Sequence, residues 1–328
     1  MMREPSSTVA LVQPPSWLLD LIRCPACGSR LQSDGDQRLA CVSCHAPVPV
    51  RDGIPTFVGD ASDDVSRRTQ SSFGYEWTQF SDWQPSGATN FADYFADFDL
   101  GSIRSATVLD AGCGMGRHAR FVAPHANRLV AVDFSAAIDS AARNLSAFPN
   151  VACVRADLRA LPFADASFDF IYSLGVLHHL ADTEAAVRVL VAKLRPAGRL
   201  RLYVYWTRTG WTRALLSIVS AVRRLTTRLP HGILRAACWV LSAALFAGVV
   251  LPYRLLLRAG ISLPPRAPFI VYTKYPFRVL YNDQFDRFSA PIEKRYTAGQ
   301  ARRLLESAGL EDVRVVERFG WIVEGRKP

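Results

Sequence analysis

The stretch that most restricts how this chain can fold is 107–135, TVLDAGCGMGRHARFVAPHANRLVAVDFS. Residues 107–110 form a short β-branched and apolar run, long enough for a buried strand. Gly112, Gly114 and Gly116 follow at a spacing of two. Glycine tolerates positive φ and lets a ligand approach the backbone closely. A helix is expected from about Arg117, and its N-terminus offers unpaired N–H groups and the positive end of a dipole. A second strand, 128–132, ends in Asp133, where a carboxylate suits a bidentate grip on ribose hydroxyls. Strand, glycine turn, helix, strand and acid together also make up the signature of dinucleotide binding. The spacing here, however, is GxGxG and not GxGxxG, and Asp110 stands directly before it. An acid at the tip of the first strand would repel a pyrophosphate and attract an ammonium. The favoured ligand is therefore a zwitterionic nucleoside that carries an amino acid and no phosphate.

The segment LDAGCGMGRHA resembles motif I of the class I S-adenosylmethionine-dependent methyltransferases. Three further pieces match that family in order. AVDFS (131–135) resembles motif II, ADLRALPFADASFDFIYSLGVLHHL (156–180) resembles motifs III and IV, and LRPAGRLRLYV (194–204) resembles the region around strand five. The resemblance covers roughly 73–205 and 270–325. It implies an α/β fold with a seven-stranded Rossmann-like sheet of order 3-2-1-4-5-7-6, its last strand antiparallel. It also implies S-adenosylmethionine as cofactor, held by Asp110, Gly112, Gly114, Gly116, Asp133 and Phe134. In the family the acid at Asp157 bonds the adenine amino group, Leu158 lies against the ring, and Leu174 stands at the tip of strand four.

With 328 residues, 49% of them apolar, the chain can bury a sizeable core. A net charge of +10 suits nucleic acid, an anionic substrate or an anionic membrane face without choosing among them. The first 16 residues are weakly apolar and broken by prolines, carry no leader pattern, and are expected to be loosely attached. Residues 17–60 form a separate module. Four of the seven cysteines, Cys24, Cys27, Cys41 and Cys44, make two CxxC knuckles thirteen residues apart. Four soft thiolates suit a closed, structural zinc site, and a module with so few apolar residues needs its metal to fold. A hairpin is expected around Asp34–Gly35. The block resembles the Trm112-type zinc ribbon fused in front of some bacterial methyltransferases. Metal spacing and not a disulfide pattern points to a cytoplasmic setting.

Residues 61–106 read as a polar, mobile linker followed by an aromatic flap. Tyr75 is placed over the cofactor and Trp77 beside the substrate; a face packed on the core is the plainer reading. The first part of the catalytic core is 107–205. At the tip of its fourth strand, Val176-Leu177-His178-His179-Leu180 offers a general base that titrates near neutrality. His178 is favoured over His179, since it comes first after the strand. The Asn/Asp-Pro-Pro-Tyr/Phe motif of the family's amine-modifying members is replaced here by SLGV, which favours an O-, C- or small-molecule N-acceptor. Residues 206–270 are an insertion with arginines scattered through apolar helices. Its run 236–253 is 18 residues without a charge, nearly the length of a membrane span. A single pass would strand the closing hairpin across a bilayer, so a helical lid, a dimer interface or a membrane-surface element is expected. Tyr205, Trp206, Tyr272 and Tyr275 are candidate substrate contacts. In the closing part, 271–328, Asp283, Asp286, Glu293 and Lys294 are read as solvated, Thr297 as a helix cap, and 313–317 with 320–324 as the last strands.

The expectation is methyl transfer from S-adenosylmethionine to a small molecule, at a hydroxyl of an apolar, glycosylated or lipid-linked metabolite. An RNA base methyltransferase is the second reading, favoured by charge and zinc ribbon. A non-catalytic cofactor-binding scaffold is the third. A homodimer, or peripheral attachment at the inner face of a membrane, would use the insertion.

Overall fold

The computed structural model describes residues 13–35, 37–58, 64–80, 87–207, 211–264 and 267–328. A short helix, α1 (Ser16–Leu19), leads into a four-stranded antiparallel sheet: β1 (Leu31–Ser33), β2 (Arg38–Cys41), β3 (Pro47–Arg51) and β4 (Ile54–Pro55). The strands are too short to make a core alone. They share one instead: Leu18, Ile22, Leu39 and Val48 belong to the same buried cluster as the central strands of the large sheet. Main-chain bonds join the two parts, from Arg23 N–H to the Pro162 carbonyl at 2.8 Å and from Phe57 N–H to the Arg155 carbonyl at 2.8 Å. The small sheet thus closes the edge that the large sheet would otherwise expose.

Two helices follow, α2 (Asp64–Gln79) and α3 (Gly87–Phe95). The expected mobile linker is therefore helical from Asp64 onward, because Thr69, Ser72 and Glu76 are buried against the rest of the molecule; residues 59–63 lie outside the described residues. The large sheet begins with β5 (Thr107–Ala111), α4 (Ala119–Val122), β6 (Arg128–Asp133), α5 (Ala137–Leu145) and β7 (Val151–Arg155). It continues through β8 (Phe168–Leu174), α6 (Thr183–Lys193) and β9 (Leu194–Val204). All five residues of β5 are buried, as a strand covered on both faces requires.

The insertion is helical: α7 (Trp211–Thr226), α8 (His231–Leu245), a π-helical turn (Phe246–Val250) and α9 (Leu251–Arg258), the last three forming one helix from His231 to Arg258. The π turn sits just before Pro252, whose missing N–H would leave a gap in the α-helical ladder. After it come α10 (Phe277–Ser289), α11 (Ala298–Glu306), β10 (Glu311–Glu317) and β11 (Trp321–Arg326). Thr297 caps α11 in a full capping box with Gln300.

The sheet order is β7-β6-β5-β8-β9-β11-β10. Counted along the large sheet this is 3-2-1-4-5-7-6, with β11 antiparallel to both neighbours. The chain is an α/β protein with the seven-stranded Rossmann-like sheet of methyltransferases, a small cysteine-bearing sheet in front and a helical insertion. Arg201, fully buried on β9, pairs with Asp97 at 2.6 Å and Glu324 at 2.7 Å and donates to the Tyr94 carbonyl at 2.8 Å. It fastens the α3 segment to the sheet, which fixes one rim of the cleft described next.

Candidate active site

In an open parallel sheet the carboxyl ends of strands face a crevice where the order reverses. Here that point lies between β5 and β8, and a cavity of about 820 Å³ opens there. One wall comes from the glycine turn. Gly112, Gly114 and Gly116 have φ of 88°, 55° and 81°. At Gly112 a side chain is excluded twice, by φ and by Val176, which a Cβ would meet at 2.5 Å. At Gly114 the neighbour is the Trp77 indole, 3.3 Å from where a Cβ would sit. Gly116 does not line the cleft. Its Cβ would run into Leu145, so it serves the packing of α5 on the turn.

Asp133 ends β6 inside the cleft and is held by three donors: Gly114 N–H at 3.0 Å, Ser135 N–H at 2.9 Å and Ser135 Oγ–H at 2.7 Å. Burial nevertheless holds its carboxyl above the ordinary value. Asp110, on the neighbouring strand, has no donor on Oδ2, and burial pushes its carboxyl up to about 8. Phe134, Asp157, Leu158 and Leu174 also line the cleft. The Asp157 carboxylate is bridged by Arg159 at 2.6 Å. Arg117, over the Trp77 ring at 5.0 Å, completes this wall; Trp77, expected beside the substrate, lines the cavity next to the glycine turn.

The opposite wall is built from α2, the tip of β8, the end of β9 and α10. His179 lies here. Its Nδ1 is 2.6 Å from the Ile292 carbonyl, so that nitrogen carries a proton, and in the neutral ring Nε2 is the nitrogen that can accept. Nε2 makes no hydrogen bond and faces Asp286 Oδ1, also without one, across 4.0 Å. Asp286 Oδ2 accepts from the Tyr205 hydroxyl at 3.1 Å. Asp283 accepts from Tyr272 at 2.8 Å. Tyr275 and Lys274 both donate to Asp93. Glu76 is completely buried, and burial together with Asp286 holds its carboxyl well above the ordinary range. Arg295 lies over the Tyr205 ring at 5.2 Å and pairs with Glu293 at 2.7 Å.

Several expectations need correction. His178 is fully buried and does not line the cleft; its ring stacks on Tyr205 with centroids 3.9 Å apart, and burial holds it well below the ordinary histidine value. A short 3₁₀ turn, Leu177–His179, rotates the second histidine and not the first toward the cavity. Tyr75 is also outside the cleft, stacked on His231 at 4.9 Å and packed on Phe285. Asp283, Asp286 and Glu293 are not solvated: all three line the cavity. Tyr205, Trp206, Tyr272 and Tyr275 do line it, and Trp206 also packs on Trp321. Glu76, Asp93, Arg117, Asn282 and Arg295 were not anticipated. The spacing of Asp283 and Asp286, three apart on a helix, is the one sequence signal that would have put both acids on a single face.

Among the described residues, Cys24, Cys27, Cys41 and Cys44 form the one group able to hold a metal, with all four sulfurs within 4.8 Å of one another. The knuckle N–H groups of Ser43 and Cys44 point at Cys41 Sγ, both at 3.4 Å. Within the cluster, hydrogen bonds from Ser29 lower the Cys27 thiol to about 6, while the neighbouring sulfurs push the Cys44 thiol up to about 12. Four thiols converging at this distance fit a tetrahedral zinc ion, and His45 is not needed. No described residue of 13–58 lines the cleft.

A family model described as a methyltransferase domain matches residues 109–202. A probable S-adenosylmethionine-dependent methyltransferase of Mycobacterium tuberculosis is 38% identical over 93 residues, 28% of this chain and 33% of that protein. A malonyl-[acyl-carrier protein] O-methyltransferase of Enterobacter lignolyticus is 37% identical over 101 residues, 31% of this chain and 39% of that one. The chain spans well under half the length of these relatives. Among solved structures, the 1,6-didemethyltoxoflavin-N1-methyltransferase of Burkholderia thailandensis is 17% identical, with 90% of this chain and 98% of that one covered at a TM-score of 0.47. Residues 109–202 thus match a methyltransferase domain, and the strand order around them is that of the class I S-adenosylmethionine-dependent fold.

Proposed function

We propose that the protein transfers the methyl group of S-adenosylmethionine to a hydroxyl of a small, lipid-linked or glycosylated molecule, with His179 as general base. The observation that carries this reading is the pair formed by His179 Nε2 and Asp286 Oδ1, both buried and unbonded on the cleft wall. On the other wall, Asp133 suits the ribose hydroxyls, Asp157 and Leu158 the adenine, and Asp110 the ammonium of the methionine end. Phe134 lies beside the purine in this assignment. When bound, S-adenosylmethionine supplies an electrophilic methyl carbon on a positively charged sulfur.

The chain's own residues then have three tasks. The tyrosines and acids of the far wall bind the acceptor and orient its hydroxyl, since alignment is the main contribution an in-line displacement needs. His179 Nε2 takes the hydroxyl proton as the oxygen attacks the methyl carbon. The bound donor would give up its methyl with the carbon–sulfur electron pair kept by sulfur, so that the acceptor would become an ether and the donor a neutral thioether. Asp286 stabilises the imidazolium so formed, and the Ile292 carbonyl keeps the ring in the tautomer that can accept. The wall carries both polar and apolar groups: Leu216, Phe269, Ile270, Val271 and Val279 face the same space as Asp283 and Asp286. A hydroxylated head on an apolar tail matches that division. The cysteine module is assigned a structural zinc in a Trm112-like ribbon that supports the sheet edge.

Purified protein given methyl-labelled cofactor and separate lipid, polar-metabolite and RNA extracts should label the lipid or metabolite fraction. His179→Ala should lower that labelling about 10²- to 10⁴-fold with cofactor binding retained, while His178→Asn keeps far more activity. Label in RNA, or a His179→Ala variant as active as the parent, refutes the assignment.

A further inference from the structure

The helix His231–Arg258 is about 42 Å long at 1.5 Å per residue, yet only a narrow stripe of it is covered. Leu234, Cys238, Ser242 and Val250 are buried. They recur at four- or eight-residue steps, so they face one way, against α10 and the segment around Tyr272. The remaining circumference is apolar and open. Ile233, Trp239, Val240, Leu241, Leu251, Leu255, Leu256, Leu257 and Ile261 are exposed, as are Val222, Leu225 and Leu229 of α7 and the turn after it. Of the 14 exposed large apolar side chains in the described residues, 12 fall in this one region. Scattered exposed leucines are ordinary, but a contiguous face is not.

Charge says what covers it. Between 206 and 270 the chain has nine arginines and no aspartate or glutamate. Arg224, Arg228 and Arg258 are exposed around the apolar face. Both ends of the region are fastened to the catalytic body: Arg223 to Glu293 at 2.9 Å, and Arg254 to the Thr273 carbonyl at 3.0 Å. The helix therefore runs along the body and does not leave it to cross a bilayer. A second copy of the chain is a poor occupant. A two-fold contact would set this acid-free, arginine-rimmed face against itself. An anionic surface with an apolar interior satisfies both halves of the pattern.

We propose that α7, α8 and α9 form an in-plane docking face for an anionic lipid bilayer. The apolar side lies at the level of the acyl chains and the arginines meet lipid phosphates. The cleft mouth shares the chain leading out of this face, since Pro268, Phe269, Ile270 and Val271 line the cavity. The docking itself does not depend on methyl transfer and is read without cofactor or acceptor.

The test is sedimentation of the full-length protein with phosphatidylcholine vesicles, with and without phosphatidylglycerol. The protein should pellet with the anionic vesicles alone and be released by salt. A Trp239→Glu/Leu255→Glu variant should lose binding. Arg224→Gln, Arg228→Gln and Arg258→Gln should each weaken it about fivefold. Circular dichroism and cofactor affinity, which report on the catalytic body, should match the parent in every variant. No binding, equal binding to neutral vesicles, or arginine variants that bind like the parent would overturn the proposal. So would a dimer in sedimentation equilibrium that Trp239→Glu dissociates, because the occupant would then be a second chain. Failure of the labelling experiment with His179→Ala would leave this result untouched.

Discussion

The two walls of the cleft differ in how the chain supplies them. On the cofactor wall, Asp110, Gly112, Gly114, Asp133 and Phe134 come from one run of sequence, 110–134, and its central acid is held by that run and the residue after it. Gly114 N–H and the Ser135 groups all converge on Asp133. On the acceptor wall, Glu76, His179, Asp283 and Asp286 come from α2, the turn after β8 and α10, and meet only through tertiary packing. The first wall can keep its shape while the second is rebuilt. This is how one fold serves many acceptors. Binding of the donor and choice of acceptor should therefore respond to separate substitutions.

The sharpest way to break this contrast is a matched pair of variants. Asp133→Ala removes a buried acceptor and leaves the Gly114 and Ser135 donors unpaired. Its effect on cofactor affinity should be about 100-fold or more, measured by calorimetry. Asp286→Ala should leave that constant within about twofold and lower turnover about 10- to 100-fold, measured in single-turnover experiments. An Asp286→Ala variant that loses cofactor as severely as Asp133→Ala would show that the walls are one unit.

The same contrast explains what the sequence reveals. The sheet order and the cofactor wall are legible because glycine spacing and a strand-end acid are local constraints: each residue's neighbour in the chain is its neighbour in space. The histidine pair is half legible. That a histidine reaches the cleft follows from its place after β8, but which one depends on the short turn Leu177–His179, and the two differ by one residue of rotation. The acceptor acids are not legible. Asp283 and Asp286 sit among polar and charged neighbours in YNDQFDRF and look solvated until α10 is packed between α8 and α2. The cysteine module shows a similar limit. Its ligands are plain from spacing, but its shared core with the large sheet is not, since Leu18 and Ile22 carry no mark of what they will touch.

The smallest effect sharpens the cofactor wall alone. With its carboxyl pushed up to about 8, Asp110 is mostly neutral at pH 7 in the empty protein. A cationic ligand prefers the ionised form, so cofactor affinity should rise about threefold between pH 7 and pH 8 and fall again by pH 9, as the donor's own α-ammonium loses its proton. Asp110→Asn should bind more weakly and lack this rise. Stability runs the other way. The folded protein keeps a proton on Asp110 that the unfolded chain gives up near pH 4, so raising the pH from about 4 to about 8 favours unfolding. Above about 8 both states have lost the proton and the effect is constant. Glu76, Asp133 and Asp283 are raised by burial as well, and they give the parent the same sign of slope. The comparison with Asp110→Asn isolates one residue's share. In melts of the empty protein at pH 5 and pH 8, the variant should lose less of its Tm than the parent. Equal losses would mean that Asp110 is ionised throughout, and that attraction for the donor's positive charge is already present at pH 5.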